Sequence, residues 1–134
     1  MKVLVTDYVW PSLVVEERVL SEIGVELIVA PNGDEDTLVG LATGCDGILT
    51  CWAKTTQKVI EAALPTLKVI VRYGVGLDNI DLAFATQKGI PVANVPDYCF
   101  GDVAEHTMAL LLSFSHKVTR FDRLVRGGTW DIQA

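Results

Sequence analysis

Five short apolar segments alternate with stretches of helical periodicity along the first hundred residues. The apolar segments are rich in β-branched residues and cover residues 3–5, 25–30, 47–52, 67–71 and 90–95. In the first intervening stretch, Val15, Val19, Leu20 and Ile23 recur at helical spacing. Strands that alternate with helices form a parallel sheet that is covered by helices. The sequence therefore predicts an α/β fold with a flavodoxin-like, doubly wound, five-stranded parallel sheet.

The longest helical pattern runs from residue 101 to residue 124 and differs from the others. Its centre, residues 108–112, is apolar on all sides, whereas a surface helix shows a single apolar stripe. One small sheet cannot cover such a helix. We therefore expect most of its surface to be buried by a second domain or a second subunit.

Composition excludes several classes of function. The chain carries 17 acidic and 11 basic residues, a net charge of -6, which offers no surface for nucleic acid. No apolar run approaches the roughly 20 residues that a membrane span needs. Residues 1–7 predict a first strand rather than a secretory signal. The three cysteines lack metal-binding spacing, so reduced thiols, no bound metal and a cytoplasmic location are expected.

The fourth apolar segment leads into a glycine-rich turn, where Arg72 is followed by Gly74 and Gly76. Glycine lets a chain turn without a Cβ clash, and successive free N–H groups then form a nest for an anion. The sequence predicts a carboxylate-binding loop beside the positive charge of Arg72. A tight strand-to-helix turn with an exposed arginine is the alternative. Asp7 and residues 50–54 are expected at the same sheet edge, which favours binding.

Other polar residues give weaker signals. Lys54 is either a second cation in the crevice or a solvated loop lysine, and Thr107 either donates to an anion or bonds a carbonyl one turn back. His106 and His116 lie on different faces of the last helix and predict no shared site. The turn is not a dinucleotide fingerprint, because Asn79 occupies the third glycine position.

Three segments resemble the D-isomer-specific 2-hydroxyacid dehydrogenases. They read Arg-Tyr-Gly-Val-Gly-Leu-Asp-Asn-Ile-Asp at residues 72–81, Lys-Gly-Ile-Pro-Val-Ala-Asn-Val-Pro at 88–96, and Val-Ala-Glu-His-Thr at 103–107. Pro-Asp-Tyr-Cys at residues 96–99 is similar to the branch that contains C-terminal-binding proteins and phosphoglycerate-dehydrogenase-like enzymes.

The resemblance implies a flavodoxin-like substrate-binding domain over residues 1–97. Residues 98–134 would then form a linker and dimerisation helix and the truncated start of an NAD-binding Rossmann domain. The implied activity is hydride transfer between nicotinamide and a D-2-hydroxy or 2-oxo acid, in a homodimer that forms through the helix from Gly101. The implied cofactor contacts are Val75 and Thr107. The implied substrate-binding residues are Lys54, Arg72, Tyr73, Gly74, Val75 and Gly76.

The family's GxGxxG and its catalytic Arg, Glu and His correspond to positions beyond Ala134. No catalytic residue is therefore assigned here, neither Arg72 nor His106 replaces one, and the chain alone is expected to be inactive. The alternative is a stand-alone carboxylate-binding or assembly module. A GxGxxG within about 30 residues downstream would distinguish the enzyme from that module.

Overall fold

A computed structural model describes residues 1–130 of the chain. Within that range it contains five strands and six helices, and it confirms the predicted α/β alternation. The strands are β1 (Lys2–Val5), β2 (Glu26–Val29), β3 (Gly47–Thr50), β4 (Val69–Arg72) and β5 (Val92–Ala93). The helices are α1 (Val14–Ser21), α2 (Glu35–Ala42), α3 (Gln57–Ala63), α4 (Leu82–Gln87), α5 (Phe100–Ser115) and α6 (Val118–Arg126).

All five strands are parallel and follow the order β2-β1-β3-β4-β5. The doubly wound sheet is therefore confirmed, and the strand order reverses between β1 and β3. Val5 of β1 is in register with Leu49 of β3, and Thr50 is in register with Arg72 of β4. In sheets of this kind, ligands bind outside the carboxyl ends of the strands near the reversal.

The main core fills one face of the sheet. Leu4, Ile48 and Ile70 are fully buried, and they belong to one apolar cluster with buried residues of α2, α3 and α4. Side chains alternate between the two faces of a strand, so their neighbours point to the opposite face. There Leu49 and Val71 are only partly buried and lie outside that cluster.

Helix α1 confirms the first predicted helix but presents a different side to the sheet. Val15, Val19 and Ile23, which carry the apolar periodicity, are 52–62% exposed. Leu13 is buried just before the helix. Glu16 and Leu20, three and seven positions further along, lie on the same side of the helix and are partly buried. The inward stripe is therefore Leu13, Glu16 and Leu20. Val15 and Val19 each precede an inward residue by one position. They are therefore turned about 100° away around the helix axis and face outward.

The predicted long C-terminal helix is confirmed as α5, but it ends at Ser115 instead of running on to residue 124. Two helices occupy this region, and they are separated at His116 and Lys117. Lys117 has a φ of 53°, in the left-handed region, where a right-handed helix cannot continue. The Lys117 N–H donates to the carbonyl of Phe114 at 3.1 Å, a shorter-range bond typical of a helix end.

Two compact units make up the chain, one covering Met1–Pro96 and the other beginning at Asp97. Helices α5 and α6 of the second unit contact each other. No residue of α5 is buried within the described chain, and Met108, Leu110, Leu111 and Leu112 are 50–60% exposed. None of the described helices is long and apolar enough to span a bilayer. The last four residues of the predicted 98–134 segment lie outside the described range.

Candidate functional site

The loop after β4 is fixed through its carbonyl groups. The carbonyl of Gly74 accepts from the Val95 N–H at 3.2 Å, and the carbonyl of Val75 accepts from Asn94 Nδ2 at 2.9 Å. The N–H groups of Val75 and Gly76 donate to no acceptor among residues 1–130. Both residues are exposed. The loop therefore presents two adjacent, unused N–H donors, which an anion could accept from.

The glycines of this loop are not required by backbone conformation. Neither Gly74 nor Gly76 has a positive φ, in contrast to Gly24 and Gly89. A Cβ at Gly76 would meet only Asp78 Oδ2 at 3.7 Å, an ordinary contact. The expectation that glycine is needed here to avoid a clash in the turn is therefore wrong for Gly76.

Two predicted cations lie at the carboxyl ends of neighbouring strands. Arg72 ends β4 and is partly buried, and its Nε is buried without a hydrogen-bond partner in the described chain. Lys54 is exposed in the loop after β3. Neither makes a salt bridge to a described residue. Both positive charges are therefore available to a ligand.

The loop that carries Lys54 is held by the carboxylate of Asp7. Asp7 Oδ1 accepts from the Cys51 N–H at 3.0 Å, and Oδ2 accepts from the Trp52 N–H at 2.7 Å. Thr6 Oγ1 donates to the same carboxylate at 2.8 Å. Burial by itself raises the pKa of Asp7, but these hydrogen bonds together outweigh burial and lower the pKa. Asp7 is therefore ionised at neutral pH and anchors this loop.

Asn79 joins the same loop to the glycine loop. Its Nδ2 donates to the carbonyl of Ala53 at 2.9 Å and to Thr50 Oγ1 at 3.3 Å. The Asn79 carbonyl accepts from the Thr55 N–H at 2.8 Å. Sequence reasoning gave neither Asp7 nor Asn79 this positioning role. The sequence signal that could have indicated these roles is position. Asp7 lies just beyond a strand and Asn79 lies within the glycine loop, at the same edge of the sheet.

Tyr73 stands directly before the glycine loop, and its N–H donates to the Thr50 carbonyl at 3.0 Å. Its ring meets the ring of Trp10 edge-on, with the centroids 4.6 Å apart. Burial, followed by the negative charge of Glu16, raises the pKa of Tyr73. Glu16 is near, but the buried hydroxyl makes no hydrogen bond of acceptable geometry to a described residue. The phenol is therefore neutral and keeps an unused donor.

Other predicted residues lie in the second unit. Thr107 is in the middle of α5, where its hydroxyl donates to the carbonyl of Val103 at 2.7 Å, the alternative that the sequence left open. His106 lies within α5, and His116 directly follows the last residue of that helix. Cys45, Cys51 and Cys99 are free, and no cluster of three or more potential metal ligands occurs among the described residues.

The ionisation of Asp7 gives a testable pH dependence. A carboxylate whose pKa is lowered on folding stabilises the fold above its ordinary pKa of about 3.8, and this stability is lost as the pH falls through the lower, folded value. We expect Asp7→Asn to reduce the difference in urea midpoint between pH 7 and pH 3, because its amide group cannot accept both N–H bonds. Asp34→Asn, at an exposed carboxylate without a capping bond, is the control. An unchanged pH dependence in Asp7→Asn would contradict the anchoring role.

Comparison with known proteins adds three findings. The family model described as the catalytic domain of D-isomer-specific 2-hydroxyacid dehydrogenases matches residues 3–129. The D-3-phosphoglycerate dehydrogenase of Mycobacterium bovis is 36% identical over 128 residues, which are 96% of this chain and 24% of that protein. The chain therefore spans about a quarter of the length of this curated relative.

Two solved structures are similar to the chain. A Pyrococcus horikoshii protein is 34% identical with a TM-score of 0.78, and the match covers 97% of this chain and 38% of that one. An NAD-dependent formate dehydrogenase from Staphylococcus aureus, solved in complex with NAD, is 28% identical with a TM-score of 0.78. That match covers 99% of this chain and 44% of the formate dehydrogenase.

Proposed function

This chain belongs to the family of D-isomer-specific 2-hydroxyacid dehydrogenases, and we propose that it supplies the substrate-carboxylate site of an NAD-dependent member. The complete enzyme would interconvert a D-2-hydroxy acid and the corresponding 2-oxo acid. One observation carries the proposal for this chain: the N–H groups of Val75 and Gly76 are unused while the carbonyls around them are tied down.

The loop suits a carboxylate for electrostatic as well as geometric reasons. Two backbone N–H groups can each donate to one carboxylate, and such charge-assisted bonds are stronger than neutral ones. Arg72 is the last residue of β4, next to this loop, and its Nε has no hydrogen-bond partner in the described chain. Lys54 adds a second positive charge from a loop that Asp7 and Asn79 hold in place. In this proposal the bound carboxylate fixes the position of the neighbouring substrate carbon, C2, which carries the hydroxyl or oxo group.

NAD is the proposed cofactor of the complete enzyme, because a family relative of similar fold is NAD-dependent and was solved with NAD. The turn after β4 does not fit the pyrophosphate of that cofactor. Asn79 replaces the third glycine and is already bonded to Ala53. Asp81 caps α4 by accepting from the Phe84 N–H at 3.0 Å, so a carboxylate occupies the helix N-terminus. We therefore assign substrate binding to this loop and leave the predicted cofactor contacts of Val75 and Thr107 as predictions.

The second unit has a proposed role in assembly. The large apolar side chains of α5, from Val103 to Phe114, are at least half exposed in the described chain. Apolar surface of this kind typically marks a protein interface. We propose that α5 contributes to a homodimer, as the family resemblance implies.

A titration of the isolated chain tests the carboxylate site. We expect D-lactate to shift the backbone amide signals of Val75 and Gly76 first and most in a ¹⁵N-labelled sample, with smaller shifts at Arg72. D-lactamide, which has the same shape without the charge, should produce no saturable shift. Largest shifts at any other loop, or equal responses to both compounds, would contradict this site.

A stand-alone carboxylate-binding or assembly module remains the second candidate. The exposed apolar surface of α5 favours it, because a module can assemble without any cofactor domain. Both candidates predict carboxylate binding, so the titration does not separate them. The coding sequence downstream does: a GxGxxG after a predicted strand supports the enzyme, and its absence supports the module.

A further inference from the structure

Every tyrosine and tryptophan of the first unit follows the carboxyl end of a strand. Tyr8 and Trp10 come after β1, Trp52 comes after β3, and Tyr73 comes after β4. The apolar core of this unit contains a single aromatic residue, Phe84. Aromatic side chains that serve only to fill a core would not be confined to one sheet edge. Their placement therefore marks the edge that also carries the anion nest.

Three of these rings form a connected wall. Tyr8 and Trp10 have their centroids 5.9 Å apart, and Trp10 meets Tyr73 edge-on at 4.6 Å. Tyr73 immediately precedes Gly74, so the wall includes the residue that leads into the glycine loop. Aromatic faces and edges of this kind bind apolar and aromatic groups well, and a phenol oxygen adds a polar contact.

Trp52 adds a fourth ring from the neighbouring loop. Its N–H donates to Asp7 Oδ2 at 2.7 Å, which fixes its backbone, while 63% of its surface is exposed. An exposed tryptophan on an anchored loop presents a large apolar surface that a ligand can contact. It lies two residues from Lys54, one of the two cations of the proposed site.

The charges at this edge do not suit a phosphorylated substrate. The cations that follow strand ends in this unit are Lys54 and Arg72. Lys58 and Lys68 are paired with Glu35 and Asp46, and Lys88 lies over the ring of Phe84. A carboxylate offsets one of the two positive charges that these free cations supply. A phosphate would bring nearly two further negative charges next to the ionised Asp7.

We propose that this site selects 2-hydroxy acids whose C3 substituent is apolar, with an aromatic ring as the best fit, over phosphorylated ones. The proposal rests on the proposed function, since it assumes that the carboxylate binds at Val75 and Gly76. It gives this chain a different substrate class from the phosphoglycerate named for its Mycobacterium bovis relative.

Three ligands that share the D-2-hydroxycarboxylate group test the proposal: D-lactate, D-3-phenyllactate and D-3-phosphoglycerate. Each is titrated into the ¹⁵N-labelled chain, and the three indole N–H signals are followed with the loop amides. We expect phenyllactate to bind about tenfold more tightly than lactate, and phosphoglycerate to bind no more tightly than lactate. The indole signals of Trp10 and Trp52 should shift with phenyllactate only, while that of Trp130 stays fixed.

Two variants locate the effect. Trp52→Ala removes an exposed ring, so the fold should persist, and the preference for phenyllactate over lactate should fall to about threefold or less. Trp130→Ala, at a tryptophan that is 82% exposed in the second unit, should leave the preference unchanged. Equal binding of lactate and phenyllactate, or tighter binding of phosphoglycerate, would overturn the substrate class while leaving the carboxylate site intact. No shift at Val75 and Gly76 with any of the three would overturn the proposed function itself, and the substrate class with it.

Discussion

Gly76→Val is expected to weaken D-lactate binding by about thirtyfold or more, roughly 2 kcal/mol, while leaving the fold intact. The two methyl groups of valine would fill the space in front of the Val75 and Gly76 N–H groups. The fold should tolerate them, because a Cβ at this position makes one contact of 3.7 Å and the backbone φ is not positive. Replacing a glycine in a compatible conformation even restricts the unfolded chain, which favours folding. Binding is measured by the amide titration and stability by urea unfolding.

The matched control is Gly40→Val, at a helical glycine of α2 with open space around its Cα. It introduces the same side chain away from the sheet edge and should leave D-lactate affinity unchanged. If Gly76→Val binds D-lactate as tightly as the unaltered chain, the two N–H groups do not hold the carboxylate. If it unfolds, the space around Gly76 is too small for valine, and Gly76→Ala, with a smaller side chain, provides the binding comparison.

Local signals in the sequence were sufficient for most of the fold. Aspartate is a residue type that favours the start of a helix, and the Asp81 carboxylate does accept from the Phe84 N–H at the start of α4. Glycine is typical just beyond a helix end, and Gly24 and Gly89, which follow α1 and α4, both have φ values near +70°. These features depend on residues only a few positions apart. The alternation of apolar segments with helical periodicity then determines the parallel sheet, because parallel strands need crossover connections.

The break between α5 and α6 could not be predicted in the same way. Residues 113–118 contain neither glycine nor proline, and the apolar pattern continues through them. Periodicity reports which residues are apolar, but a left-handed residue such as Lys117 changes the backbone without changing composition. The orientation of α1 was missed for a related reason. Its inward stripe includes Glu16, which a purely apolar pattern passes over.

The candidate loop was found from sequence, but the groups that position it were not. Asp7 bonds to Cys51 across 44 positions, Asn79 bonds to Ala53 across 26, and Asn94 bonds to Val75 across 19. Each pairing joins loops that meet only when neighbouring strands are in register. A single sequence shows that these residues are polar and lie near strand ends. It does not show which backbone group each of them binds.

Leu111→Glu is expected to abolish self-association of the chain at tens of micromolar. Leu111 is 57% exposed, beside Leu110 and Leu112 on α5, and none of this helix is buried in the described chain. In a two-fold dimer the same residue is buried on both copies. Burying a fully exposed leucine is worth roughly 1.5–3 kcal/mol, and Leu111 has 57% of its surface left to bury on each copy, so the double loss weakens a dimer by about 2 kcal/mol or more, which is roughly thirtyfold.

Sedimentation velocity of the unaltered chain, of Leu111→Glu and of Ser12→Glu separates this interface from a general effect of charge. Ser12 is exposed and belongs to the first unit rather than to α5, so its replacement adds the same charge on another element and should leave the dimer unchanged. The sheet should be undisturbed in both variants, because Leu111 lies outside the buried core cluster, and the far-ultraviolet dichroism should confirm this. A monomeric unaltered chain at tens of micromolar, or equal dissociation in both variants, would rule out α5 as the dimer helix. A dimer lost only in Leu111→Glu would mean that apolar contact along α5, rather than net charge, drives the association.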